Sequence, residues 1–132
     1  MNSLREPSRY VITISGLHGT GKSTYARHIS YLLKLRHTSA GEIFRRLAQE
    51  RGISIGNMSK IAQRQNEVDT QIDNKIKEDA EKGSAVLDGI IAAWIAKDKA
   101  HIKIYLCAPD AVRFKRIAYR EKISFVEAKK QT

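Results

Sequence analysis

The stretch ISGLHGTGKST, residues 14–24, stands between the β-branched run YVIT and an apolar helical pattern, and its glycines decide the fold. Glycine is costly where a strand passes into a helix, unless something must approach the bare backbone there. Gly16-Leu17-His18-Gly19-Thr20-Gly21-Lys22-Ser23 fits GxxxxGK[ST] at every fixed position. The motif carries meaning only when a strand precedes it and a helix follows. Both are present. Residues 10–15, YVITIS, read as a buried strand, and Tyr25, Ala26, Ile29, Leu32 and Leu33 recur at helical spacing within residues 22–34. In such a loop the backbone N–H groups curl around phosphate oxygens, and the helix opening near Lys22 points its positive end at them. Gly16, Leu17, His18, Gly19, Thr20, Gly21, Lys22, Ser23 and Thr24 are therefore the candidate nucleotide-phosphate site. Lys22 supplies a mobile cation and the Ser23 hydroxyl a ligand for Mg²⁺. His18, at a variable position, reads as a loop filler beside phosphate.

Further along the chain, strand and helix signals alternate. LRHTS, residues 35–39, reads as a short strand, and residues 40–50 as a helix with Ile43, Phe44 and Leu47 on one face. Gly52 and Gly56 punctuate the next segment; residues 58–82 are charge-patterned and read as exposed helices with Ile61, Val68, Ile72 and Ile76 as their apolar contacts. AVLDG, residues 85–89, is a third strand ending in the acid Asp88, and residues 102–106 a fourth. Pro109 stops that strand, a helix starts near Asp110, and Ser124 can cap another. This alternation predicts right-handed βαβ units and a parallel sheet covered on both faces. Trp94, Tyr31 and Phe44 read as core, and Cys107, in HIKIYLCAP, as a buried structural thiol.

At 132 residues the chain has room for one core and one domain, and 42% apolar with 29% charged residues predicts folding throughout. The net charge of +10 comes from both ends: residues 1–50 and 101–132 carry +5 each, and residues 51–100 are neutral. Excess positive charge attracts phosphate-bearing partners without choosing between nucleotide and nucleic acid. A single cysteine excludes a disulfide framework or a CxxC metal site and suits a reducing cytoplasm. MNSLREPSR has no apolar core of signal-peptide length, and no run approaches the ~18 residues of a membrane span.

A glycine loop does not by itself separate GTPase, motor and small-molecule kinase. No NKxD-type guanine signature is present, whereas Thr38-Ser39-Ala40-Gly41-Glu42-Ile43-Phe44-Arg45 puts small polar residues at a helix start and an arginine one turn in. That pattern can receive a second phosphate monoester. Here the sequence resembles the nucleoside monophosphate kinases, and most closely the archaeal-type cytidylate (CMP/dCMP) kinases. ITISGLHGTGKST, SAGEIFRRLAQERG, VLDGIIAAW, YLCAPDAVRFKRIAYRE and SFVEA carry the resemblance, which covers nearly all of residues 10–128.

The resemblance implies a single P-loop NTPase domain over residues 1–132, α/β, with a parallel sheet of order 2-3-1-4 flanked by helices. Residues 40–82 would be the monophosphate-binding helices and residues 110–132 the start of a lid. It implies transfer of the γ-phosphoryl of ATP to CMP or dCMP with Mg²⁺, by a monomer without membrane attachment. Ser39, Gly41 and Arg45 would hold the acceptor, Lys22, Arg116 and Arg120 would act on the transferring group, and Ser23 and Asp88 would serve the metal. Arg113, Arg116 and Arg120 also share a helix face at i, i+3 and i+7. Arg113 alone reads as a solvated position. Two departures are expected to matter. Gly89 is followed by Ile90 where the family has arginine, with Arg46 a candidate substitute; and family members continue past residue 132 with more lid and a last strand, so the strand at 102–106 would be uncovered. Two other readings remain: a kinase of AMP or UMP on the same fold, and a nucleotide-binding module without turnover, associated with RNA through the +10 charge.

Overall fold

The computed structural model describes residues 9–132; residues 1–8, most of the leading MNSLREPSR, lie outside the described residues. The chain runs β1 (Val11–Gly16), α1 (Lys22–Leu33), β2 (Arg36–Ser39), α2 (Ala40–Glu50), α3 (Ile55–Arg64), α4 (Glu67–Lys82), β3 (Ala85–Asp88), α5 (Ala92–Ala96), β4 (Ile102–Leu106), α6 (Asp110–Glu121) and α7 (Phe125–Gln131). The four strands form one parallel sheet in the order β2-β3-β1-β4, as the alternation and the family resemblance predict.

Alternation along the strands divides the core between the two faces of the sheet. Ile12, Ile14 and Val86 pack with Ala26 of α1 on one face, while Val11, Ala85 and Leu87 pack with Ile76 and Ala80 of α4 and Ala96 of α5 on the other. β1 and β3 are buried along their whole length, as strands covered on both sides must be. The register sets Ile14 and Ser39 on either side of Asp88, so β2 and β3 end together and β1 ends two residues beyond them at the C-terminal edge of the sheet. Ligands bind at that edge in open α/β sheets.

Four expectations are corrected. Trp94 is 64% exposed, because α5 turns Ala92 and Ala96, one helical turn apart, toward the core and leaves Trp94 between them facing out. Tyr31 is 82% exposed for the same reason, α1 burying Ala26 and Ser30. α4 buries Val68, Ile72 and Ile76, the apolar contacts expected of it, but it is not the exposed helix its charges suggest, because Asp79 and Ala80 are buried on the same side. Cys107 is exposed, just past the end of β4, which among the described residues pairs only with β1 and leaves Ile102 and Tyr105 in solvent. An aromatic disulfide reagent should therefore label one thiol per native chain as fast as it labels the unfolded chain. A thiol that reacts only after denaturant is added would contradict this placement.

Candidate phosphate-transfer site

The loop between β1 and α1 folds as its glycines require. Gly19 has φ +81°, and a Cβ there would stand 2.6 Å from the carbonyl oxygen of Arg113 on α6. No larger residue fits against that backbone. The Thr20 hydroxyl, buried, donates to the Leu17 carbonyl at 2.9 Å, and Lys22 Nζ reaches back to the same oxygen at 2.9 Å. Loss of solvation lowers the Lys22 pKa to about 8; Asp88 opposes the shift, and the charges of Arg120, Arg45 and Arg113 add to it. The His18 pKa is lowered to about 4, first by desolvation and then by Lys22, Arg120, Arg45 and Arg113, so this imidazole is neutral at pH 7.

α6 is fastened to this loop from outside. Arg113 Nη1 donates to the His18 carbonyl at 3.0 Å and Nη2 to Asp110 at 2.9 Å, and Arg116 Nη1 donates to the Gly19 carbonyl at 3.1 Å. Arg113 is 6% exposed, which overturns its reading as a solvated helix position. The row of three arginines was visible, but two of its members grip loop backbone. Arg120 instead donates to Glu121 at 2.8 Å, and its charge is felt at Lys22, His18 and Arg45.

Below the loop lies a buried carboxylate. Asp88, at the end of β3 and 1% exposed, accepts from Ser23 at 3.1 Å and from Ser39 at 2.8 Å on Oδ1, and contacts His37 Nε2 at 2.6 Å through Oδ2. The Ser23 and Ser39 hydroxyls are 3.0 Å apart. Ser39 is also the N-cap of α2, accepting from the Glu42 N–H at 3.2 Å. One turn into α2, Arg45 lies over Gly41, where a Cβ would stand 3.0 Å from its guanidinium nitrogen. Burial and the neighbouring Arg120 lower the Arg45 pKa, against the opposing charges of Glu121, Glu42 and Asp88. A cleft of about 370 Å³ leads away from Arg45 between Gln49, Ser54, Gly56, Glu121 and Gln131.

Ser23, Asp88, Ser39 and Lys22 thus come together, with Arg45 and Arg120 coupled to them by charge. Arg46 sits in an exposed pair with Glu50 at 4.0 Å, and Ile90 is 37% exposed. Among the described residues no three His, Cys, Asp or Glu side chains cluster to hold a metal unaided. An all-oxygen pair of one hydroxyl and one carboxylate still suits Mg²⁺, which binds through one or two carboxylates together with substrate phosphates and water. Sequence reading assigned His37 no role and Arg113 the wrong one. The signal for His37 was strand alternation, which sets it on the same face as Ser39 two residues on; for Arg113 it was the Asp110 partner three residues before it.

A family model described as AAA domain matches residues 15–124. The chain is 46% identical over 122 residues to a cytidylate kinase of Staphylothermus marinus, covering 92% of this chain and 69% of the relative. It is 42% identical to a cytidylate kinase of Ignicoccus hospitalis, covering 89% and 69%. Its fold is similar to a shikimate kinase structure from Acinetobacter baumannii, with a TM-score of 0.57 at 19% identity, covering 91% of this chain and 68% of that one. The chain spans about two thirds of the length of the curated relatives it matches.

Proposed function

We propose, from the premise that this chain belongs to the cytidylate kinase family of P-loop kinases, that it transfers the γ-phosphoryl group of ATP to CMP or dCMP, giving CDP or dCDP. The observation that carries the proposal is the pair of hydroxyls 3.0 Å apart over one carboxylate: Ser23, which closes the phosphate loop, and Ser39, which opens the second anion-facing helix. A donor site and an acceptor site that share a hydrogen-bonded group place two phosphates side by side.

Phosphoryl transfer asks for positioning and positive charge more than for a nucleophile on the protein. The loop from Gly16 to Thr24 holds the ATP phosphates. Lys22 exchanges the Leu17 carbonyl for phosphate oxygen, a flexible ammonium leaving a neutral acceptor for a charged one. Ser39, Gly41 and Arg45 hold the CMP phosphate, and the cleft beyond Arg45 is of a size to receive a nucleoside. Arg116 and Arg120 bring charge to the transferring group from α6 and, with closure of that side, exclude water. Mg²⁺, when bound with the nucleotide, neutralises phosphate charge, and Ser23 and Asp88 are the residues that would hold it.

Arg45→Met separates acceptor from donor. It is expected to raise the KM for CMP roughly 10- to 100-fold, the loss of one charge-assisted hydrogen bond, and to leave the KM for ATP within about threefold. Steady-state kinetics varying each substrate in turn checks this. An unchanged acceptor KM would remove Arg45 from the acceptor site.

A further inference from the structure

We propose that His37 is a positioning residue for phosphoryl transfer: it fixes the plane of the Asp88 carboxylate and so sets the affinity for Mg²⁺ arriving with the nucleotide. The inference rests on the reading of Asp88 as the acid that faces the metal. Both serine hydroxyls donate to Oδ1, at 3.1 and 2.8 Å, so neither of them constrains Oδ2. The last torsion of an aspartate is soft and roughly two-fold. With Oδ1 alone held, the carboxylate can swing about that contact; with His37 Nε2 at 2.6 Å from Oδ2, both oxygens are pinned from the β2 side. A carboxylate only accepts, so Nε2 carries the hydrogen and donates it.

The backbone makes this arrangement possible. β2 and β3 run parallel with Ser39 opposite Asp88 and His37 opposite Val86, and alternation places His37 on the same face as Ser39. The imidazole is long enough to reach two residues forward along β3 to the carboxylate. Its side chain is 15% exposed and Asp88 is 1% exposed, so the bond is shielded from competing water. Groups that orient a metal-facing ligand from behind typically change metal affinity by about 10- to 100-fold when removed. β2 also leads directly into the Ser39 cap of α2, so one short strand supports both the acceptor helix and the carboxylate.

The test measures ATP binding by calorimetry without acceptor, once with saturating Mg²⁺ and once with EDTA. It compares the wild-type chain with His37→Leu, His37→Gln, His37→Asn and Asp88→Asn. Glutamine places its amide nitrogen near the position of Nε2, and asparagine stops short of it. In His37→Leu and His37→Asn the gain in ATP affinity that Mg²⁺ confers should fall about tenfold, with affinity in EDTA unchanged within twofold. His37→Gln should recover the gain to within about threefold. If the leucine variant does not fold, the glutamine and asparagine pair carries the same comparison. Should His37→Asn keep the full Mg²⁺ gain while Asp88→Asn loses it, the role of His37 is wrong and that of Asp88 stands. Should Asp88→Asn keep it as well, the reading of Asp88 fails and this inference falls with it. Equal losses in the glutamine and asparagine variants would make His37 a packing residue and also overturn the proposal.

Discussion

Replacing Lys22 by methionine is expected to lower turnover by about 100- to 1000-fold, the effect of removing one group that stabilises developing transition-state charge, while the thermal midpoint stays within a few degrees of wild type. Stability should survive because the ammonium is held against its preference: desolvation, and then Arg120, Arg45 and Arg113, outweigh Asp88 and lower its pKa to about 8. The sign of the pH dependence follows. A lysine whose folded pKa lies below its unfolded value binds fewer protons in the folded state between the two, so the fold gains stability as pH rises through that window. The charge that phosphate needs is lost over the same rise. kcat/KM for ATP, which reports the free enzyme, should therefore fall above about pH 8. In Lys22→Arg this alkaline limb should be absent, since a guanidinium stays charged. Wild-type rates in the methionine variant, or an unchanged limb in the arginine variant, would remove Lys22 from its role.

The largest loss of stability should come from a residue outside the site. Asp79→Ala is expected to cost about 2–4 kcal/mol and to lower the unfolding midpoint by roughly 10 °C. The Asp79 side chain is buried on α4 and accepts hydrogen bonds from the Thr38 hydroxyl and from Arg36 at 3.0 Å, with Lys75 at 3.4 Å. Alanine would leave the buried Thr38 hydroxyl without an acceptor and uncouple α4 from β2. Arg36 and Lys75, half in water, can be resolvated, which keeps the cost below that of a wholly buried ion pair. Burial pushes the Asp79 pKa up, but the bonds from Thr38 and Arg36 and the charge of Lys75 prevail and hold it below the usual range. Its contribution is thus present at neutral pH and lost as pH falls through the acid range. In Asp79→Asn the acid limb of the stability profile should be shallower. A midpoint within 2 °C of wild type for the alanine variant would contradict the network.

Asp79 also marks where the sequence stops being legible. In EDAEK it looks like one more charge on a solvated helix, because helical periodicity identifies apolar positions on a buried face and has no signal for a polar residue whose partners come from another element. Those partners, Thr38 and Arg36, lie some forty residues earlier. The strands and the loop were legible because they rest on local signals, namely β-branched runs, glycine spacing and the acid that ends AVLD, whereas the order of the strands is non-local and followed from the family resemblance. The Ser23, Ser39 and Asp88 cluster was legible only in parts, each residue alone, since parallel pairing sets Ser39 beside Asp88 and the start of α1 brings Ser23 to both, across 16 to 65 positions. Tyr31, Trp94 and Cys107 misled because apolar character does not say which side of a short helix or an edge strand meets the core. Arg113 misled the other way, since a helix arginine is ordinarily solvated and here its partner is a loop carbonyl 95 residues away.

Transfer to a cytidine monophosphate is read directly from ADP release with ATP and Mg²⁺ and with CMP, dCMP, UMP and AMP as separate acceptors. Turnover with CMP and dCMP at least about tenfold above that with UMP and AMP, one pocket contact's worth of discrimination, is the predicted result. A preference for AMP or UMP, or no release with any acceptor while ATP still binds, would contradict it.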